Sequence, residues 1–227
     1  MLRTILKTAS IIGFGLVISV SSHATSRDGF YVGLGVGASY DKFDLTTKNN
    51  ATGFTVRSAS ENATNVIGSA FLGYGNTAES GFYLGGELGT YLPKRSLTIT
   101  NRPGVALTNL TFSDKLTVQD YVTFDVLPGF RLSENWLLYL RGGITYAHMT
   151  IYQPTQGAAT SFSADNNRIG GRVGAGVNVG FTDNFGMSLD YFYTQYQDSS
   201  YTFPAFNTKF TQGVSSNYFG ISASYTL

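Results

Sequence analysis

Residues 29–40 read GFYVGLGVGASY, with Phe30, Val32, Leu34, Val36, Ala38 and Tyr40 on one parity and Tyr31, Gly33, Gly35, Gly37 and Ser39 on the other. Successive side chains of a β-strand point to opposite faces, so this stretch predicts a strand with one apolar face and one small or polar face. The same alternation returns at 66–74, 82–92, 122–130, 136–146, 169–181, 185–193 and 219–227. These eight segments of 9 to 13 residues have the length a tilted strand needs to cross a bilayer. No segment beyond the N-terminal region offers the 18 consecutive apolar residues of a membrane helix.

The connections alternate in length. Short ones at 75–81, 131–135 and 182–184 follow the second, fourth and sixth segments, and long polar ones at 41–65, 93–121, 147–168 and 194–218 follow the first, third, fifth and seventh. A soluble sandwich has no reason to gather every long loop at one end, whereas short inner turns and long outer loops characterise barrels that span a bacterial outer membrane. The pattern predicts an all-β fold, an eight-stranded antiparallel up-and-down transmembrane β-barrel, with both termini in the periplasm and four long loops outside the cell.

Charge tests the two-faced assignment. An Arg or Lys facing lipid at mid-depth costs about 2–4 kcal/mol. Within the eight segments the apolar parity carries no Asp, Glu, Lys or Arg, and Glu87, Asp125, Arg141, Arg172 and Asp190 all stand on the opposite parity, which is therefore the lumen. Aromatic positions agree: Phe30, Tyr74, Phe82, Phe130, Trp136, Phe181, Phe185 and Tyr225 lie on the apolar parity at one set of strand ends, and Tyr40, Tyr146 and Tyr193 at the other. Those are the places of interfacial aromatic girdles.

Composition narrows the chemistry. The chain is 13% charged, with 27 Gly, 17 Phe, 15 Tyr and no Cys, which excludes a disulfide scaffold, a thiol nucleophile and a cysteine-ligated metal. A formal net charge of +1 leaves no electrostatic footprint for nucleic acid. At the N-terminus, Arg3 and Lys7 precede a 12-residue apolar run at 9–20, and Ser22-His23-Ala24 supplies the small residues of a cleavage site. Residues 1–24 are read as a cleaved secretory signal and 25–227 as the barrel. Such a run is short of the roughly 20 residues of a spanning helix.

The segments GFYVGLGVGASY, SGFYLGGELGTYL, WLLYLRGGITYAHM, RIGGRVGAGVNVGFTDNFGMSLDYFY and the terminal YFGISASYTL resemble the OmpA-like and opacity-protein-like family of small outer-membrane barrels. The resemblance implies insertion by the barrel assembly machinery, which reads a closing strand of alternating apolar residues; Phe219, Ile221, Ala223 and Tyr225 fit, while Leu227 stands where the family usually has Phe. The peptidoglycan-binding role of OmpA's periplasmic domain is not among what the resemblance implies for this chain.

An eight-stranded barrel is just wide enough for its own side chains to fill it. With a turn centred on Ser133, Asp125 falls directly opposite Arg141. Glu87, Asp125, Arg141, Arg172 and Asp190 are expected to form an internal ion-pair plug, three acids against two bases, because unpaired buried charges are costly. A gated ion path is the alternative reading of the same charges. The candidates for enzymatic chemistry are His148 and, two residues on, Thr150; the lipid A deacylases carry a His-x-Ser on a strand, and here Thr replaces Ser with no evident orienting acid. One mature-chain histidine cannot build a multi-His metal site. No catalytic residue, metal or cofactor is expected.

Specific function then falls to the loops. Rich in Thr, Asn and Ser, they suit either contact with host molecules or a plain hydrophilic shield. Lys94 and Arg95, just past the third segment, are the candidate contacts for lipopolysaccharide phosphates. The expected role is that of a structural or surface-interaction protein, with outer-membrane lipid, lipopolysaccharide and a host surface ligand as candidate partners. A narrow ion channel or a lipid A-modifying enzyme are the rivals.

Overall fold

The computed structural model describes residues 26–100, 113–153, 162–203 and 208–227, so the expected leader at 1–24 lies outside the described residues. Among these there is no helix; ten strands form one antiparallel sheet: β1 (Gly29–Asn49), β2 (Thr55–Thr77), β3 (Phe82–Leu92), β4 (Arg95–Thr100), β5 (Ser113–Ser133), β6 (Trp136–Gln153), β7 (Phe162–Gly180), β8 (Phe185–Tyr196), β9 (Ser199–Phe203) and β10 (Thr208–Thr226). β3 and β4 are successive pieces of one stave, since β3 pairs with 123–130 of β5 and β4 with 113–118 of the same strand. β8 and β9 both pair with β10 in the same way. Ten strands are therefore eight staves, and pairing of β1 with β10 closes the sheet.

Closure leaves no free edge in the barrel wall, which is what lets a β-structure cross hydrocarbon with every backbone group paired. Outside, Leu34, Leu72, Leu84, Phe124, Leu140, Ile144, Val173, Leu189 and Ile221 are all exposed and form a continuous apolar belt. The girdle positions Phe30, Tyr74, Phe82, Phe130, Trp136, Phe181, Phe185 and Tyr225 border it at the end of the short turns, with Tyr40 and Tyr146 at the other end, all exposed. An apolar exterior this extensive would be an aggregation surface in water and is the expected exterior in lipid.

Among the described residues, much of each long connection is strand and not loop. β1 runs on to Asn49 and β2 starts at Thr55, so the expected loop at 41–65 is a continuous hairpin with a tip of only 50–54. The same correction applies at 93–121, 147–168 and 194–218, where β4, β5, β6, β7, β9 and β10 extend beyond the belt. The physical reason is an exchange of faces. On β1 the outward residues after Tyr40 are Lys42 and Asp44, both largely exposed, while the inward residue Phe43 is 1% exposed. On β6 the outward residues after Tyr146 are His148 and Thr150, and the inward ones are the buried Ala147 and Met149. Within the belt the wall is apolar outside and largely polar inside; above it the outside is polar and the inside, past a second charged layer, holds an apolar core, as suits a barrel standing in water.

Phe43, Leu116, Val118, Ala147, Met149, Tyr196 and Val214 make the apolar core of that protruding part. On β5 it is reached through a bulge: Asp120 pairs with Ala147 but Val122 with Tyr146, so Tyr121 is an extra residue. One extra residue reverses the parity of everything beyond it. Hence Thr123, Asp125 and Leu127 face inward below the bulge and Leu116, Val118 and Asp120 above it. Phe43→Ala is expected to cost about 3–5 kcal/mol by opening a cavity in this core. The loss should appear as a lower midpoint in urea unfolding of the folded barrel.

Candidate functional site

Ascending the inward positions of β6 passes through the whole lumen: Leu137, Tyr139, Arg141, Thr145, Ala147 and Met149 are all buried. Around that strand the interior is stacked in layers. The lowest is apolar, with Tyr83, Leu127, Leu137 and Tyr139. Next comes a charged layer. Arg141 is its hub: Nη1 lies 2.7 Å from Asp125 Oδ2, and Nη2 lies 3.3 Å from Glu87 Oε2 and 3.2 Å from Asp190 Oδ1. Tyr139 donates its hydroxyl to Asp190 at 2.7 Å. Arg172 Nε sits 3.3 Å from Asp125 Oδ1 as an ion pair without hydrogen-bond alignment, and Nη2 donates to the Tyr91 hydroxyl at 2.9 Å.

The five charges singled out in the sequence thus meet in one cluster, each of them buried. Two details differ from expectation. The β5–β6 turn carries a register shift between Arg131 and Ser133, so Asp125 faces Gly143 rather than Arg141, which reaches it diagonally. A two-residue slip preserves the face, which is why the pair survives it. Gly143 is needed at that spot because a Cβ there would collide with the Asp125 carboxylate and the Phe124 carbonyl. The second difference is a third cation. Arg27, from the segment before β1, is 0% exposed, places Nη1 3.3 Å from Glu87 Oε2, and lies over the rings of Tyr31, Phe71 and Tyr139 at 5.1, 5.6 and 5.2 Å. Gly73 lets the Tyr31 ring lie flat against the wall, where any Cβ would strike it. With Arg27 counted, Glu87, Asp125 and Asp190 are matched by Arg27, Arg141 and Arg172.

Above this cluster lies a layer of rings. Phe192 and Tyr218 stack at 4.6 Å, and Tyr91 meets both edge-on at 5.8 and 5.6 Å, with Ile67 alongside. Arg172 lies 3.8 Å over the Phe192 ring and so joins the charged layer to the aromatic one. A second charged layer follows. Arg95 binds Asp41, donates to Asp120 Oδ2 at 2.6 Å, to the Tyr196 hydroxyl at 2.7 Å and to Ser216 Oγ at 3.0 Å. Asp120 also accepts from Tyr196 at 2.7 Å and Thr145 at 3.1 Å, and Asp41 from Ser39 and Asn65 at 3.0 and 3.1 Å. The apolar core around Phe43 closes the top.

This layer corrects the reading of Lys94 and Arg95. Arg95 is 3% exposed and points into the lumen, so it cannot reach a lipid phosphate; Lys94 is exposed. Lys94 belongs to the two-residue break between β3 and β4, and only Arg95 enters the lumen. Asp41, Arg95 and Asp120 fall in the long connections of the alternation, and the signal that marks Asp41 and Asp120 as lumenal is the apolar residues sharing their parity, Phe43 on β1 and Leu116 and Val118 on β5.

Among the described residues, two small cavities lie beside the lumenal charges. A cavity of about 20 Å³ lies between the lower charges and the rings, bordered by Glu87, Arg141, Asp190 and Tyr218, and one of about 10 Å³ borders Arg95, Asp120 and Arg172. A single water needs roughly 10–15 Å³ measured this way. On the outer surface, His148 Nδ1 is 2.8 Å from Asn167 Oδ1, and Nε2 is 3.8 Å from Asp165 Oδ1, which supplies a nearby acid that the sequence did not reveal. Thr150 is directly opposite Asp165 in the β6–β7 ladder. Among the described residues there is no group of three or more metal-ligating side chains.

Similar solved structures include Neisserial surface protein A, 13% identical over 88% of this chain and 98% of its own, with a TM-score of 0.43. Ail, the attachment invasion locus protein of Yersinia pestis, is 14% identical over 82% of this chain and 97% of its own, with a TM-score of 0.35. The N-terminal β-barrel domain of Pseudomonas aeruginosa OprF is 14% identical over 82% and 96%, with a TM-score of 0.34. A search of curated proteins finds no match. The family model for the outer membrane protein beta-barrel domain matches residues 10–226, nearly the whole chain. With eight staves, an apolar belt and a polar filled lumen, the chain belongs to the outer-membrane β-barrel protein family.

Proposed function

We propose that this protein is a non-conducting, non-catalytic surface protein of the outer membrane, with both termini in the periplasm and its contacts with other molecules made by the part of the barrel that stands outside the cell. The observation that carries this reading is the exchange of faces above the belt. Strands that need only about 9–11 residues to cross the membrane continue as a water-compatible structure with its own apolar core, 21 residues in β1 and 23 in β2. Its outer face is polar: Lys42, Asp44, Ser60, Asn62, Thr64, His148 and Thr150 point away from the lumen. A membrane anchor alone has no use for such an extension, whereas a binding platform does. Host surface molecules and the sugars and phosphates of lipopolysaccharide are the candidate ligands, with Lys94 retained as a contact and Arg95 removed.

Two rivals are weighed by the same interior and surface. An ion path would have to traverse two ion-paired layers, a stacked ring layer and an apolar cap, with cavities that hold about one water each. A lipid hydrolase would need the Thr150 hydroxyl held by His148, whose Nδ1 meets Asn167 and whose Nε2 stands 3.8 Å from Asp165.

The test is in two parts. Purified barrel in a planar bilayer is expected to show no steady conductance. Intact bacteria displaying it should bind host cells or matrix, and replacing 44–60 by a short turn should abolish that binding while leaving the barrel folded. Steady single-channel steps, or binding unaffected by removal of each protruding hairpin in turn, would refute the reading.

A further inference from the structure

Arg27 differs from every other lumenal cation. Arg95, Arg141 and Arg172 project from staves, whereas Arg27 precedes β1 and holds a backbone φ of 73°, a left-handed conformation unusual for a residue with a side chain. Its backbone N–H donates to Thr226 Oγ1 at 2.8 Å, and the neighbouring Ser26 donates to Asn178 at 2.6 Å, so this short segment is folded back into the mouth of the barrel. Arg141 and Arg95 each bind two or more carboxylates, and Arg172, with Asp125 alone, still donates to the Tyr91 hydroxyl; Arg27 has Glu87 alone, and its buried Nε and Nη2 meet no acceptor among the described residues. What surrounds those nitrogens is aromatic: Tyr31, Phe71 and Tyr139. One carboxylate and three ring faces form a site that recognises a flat cation by charge and stacking rather than by a full set of acceptors.

We propose that the lower chamber of the lumen is a guanidinium receptor built by Glu87, Tyr31, Phe71 and Tyr139, and that Arg27 is its tethered occupant, exchangeable for a guanidinium-bearing cation presented at that mouth. Without an occupant the chamber holds Glu87, Asp125 and Asp190 against Arg141 and Arg172 and keeps one uncompensated negative charge in a dry site. A strained tether and two unpaired donors make Arg27 a weaker occupant than a stave-borne arginine, and a free cation can adopt the stacked pose without the strain.

Chemical rescue tests this. Arg27→Ala in detergent micelles is expected to lose the heat-resistant, fast-migrating folded form at a lower temperature than the parent. Guanidinium chloride up to roughly 50 mM, where its denaturing effect is slight because that effect grows linearly with concentration, should recover at least half of the shift. Equal sodium chloride or urea should not, and the parent and Arg27→Lys, whose tethered cation still fills the chamber, should gain nothing from guanidinium. If Arg27→Ala does not refold unaided, the refolded fraction with guanidinium against sodium is the readout, with the same selectivity expected. Recovery by sodium as good as by guanidinium, or an Arg27→Ala barrel as heat-resistant as the parent, overturns the proposal.

Discussion

Arg141→Ala should destabilise the barrel by about 3–5 kcal/mol, the cost of removing one partner from a buried ionic cluster and stranding the others. Arg141 touches Glu87, Asp125 and Asp190 at once, and all three are buried, so its loss leaves three carboxylates shared between Arg27 and Arg172. The surface pair Lys42–Asp44 supplies the contrast. Its partners are 3.1 Å apart but half exposed, and such pairs contribute about 0–1 kcal/mol, so Lys42→Ala should leave stability nearly unchanged. Urea unfolding of the three proteins from lipid vesicles separates the cases. Equal losses for Arg141→Ala and Lys42→Ala would mean that the lumenal cluster is hydrated and not the tightly packed plug described above. Asp125→Asn combined with Arg141→Leu should recover part of the loss, because deleting a charge together with its partner costs less than stranding one.

Much of this cluster is legible in the sequence for one reason. A charge cannot face hydrocarbon, so inside the belt parity alone sends Glu87, Asp125, Arg141, Arg172 and Asp190 to the lumen. The same rule is silent about Arg27, which lies before the first alternating residue; its burial depends on a backward fold secured by Thr226 at the far end of the chain. It fails for Asp41, Arg95 and Asp120, because the apolar parity ends at Tyr40 and is replaced by the opposite one at Phe43. On β5, Tyr121 adds a bulge that no local pattern announces. The two-residue slip of Asp125 against Arg141 has a similar origin: turn length sets register, and a bulge beside the turn shifts it. Parity is a local property and survives these irregularities segment by segment; which residues meet across the lumen is a property of register, bulges and closure.

The two layers of charge also explain how the lumen can be polar and still closely filled. Arg141 has carboxylate partners on three other strands and Arg95 on two, so these ion pairs act as cross-braces inside the closed wall. Rings between the layers, Phe192 on Tyr218 with Tyr91 at their edges, separate the two sets of charges and lower the dielectric around the pairs they cover. Filling the interior this way leaves the outer face of the protruding strands as the surface on which specificity can vary without disturbing the wall.

Leu34→Arg should cost about 2–4 kcal/mol, while Thr150→Arg should cost about 0–1 kcal/mol, although both change outward-facing residues of the same wall. Leu34 is 69% exposed and stands midway between the girdle residues Phe30 and Tyr40 on β1, at the depth where an ion has the least access to water or headgroups. Thr150 lies beyond the Tyr146 girdle, on the face that has already turned polar. The single Trp136, outward and half exposed at the lower girdle, reports insertion through its fluorescence without a further label. Unfolding titrations in lipid vesicles therefore measure both variants with the same probe. A costly Thr150→Arg would extend the hydrocarbon contact above Tyr146 and remove the basis for a water-exposed platform; a neutral Leu34→Arg would mean that the apolar belt does not face lipid. Because parity is the same at both sites and only depth differs, the ratio of the two losses measures where along each stave the solvent changes.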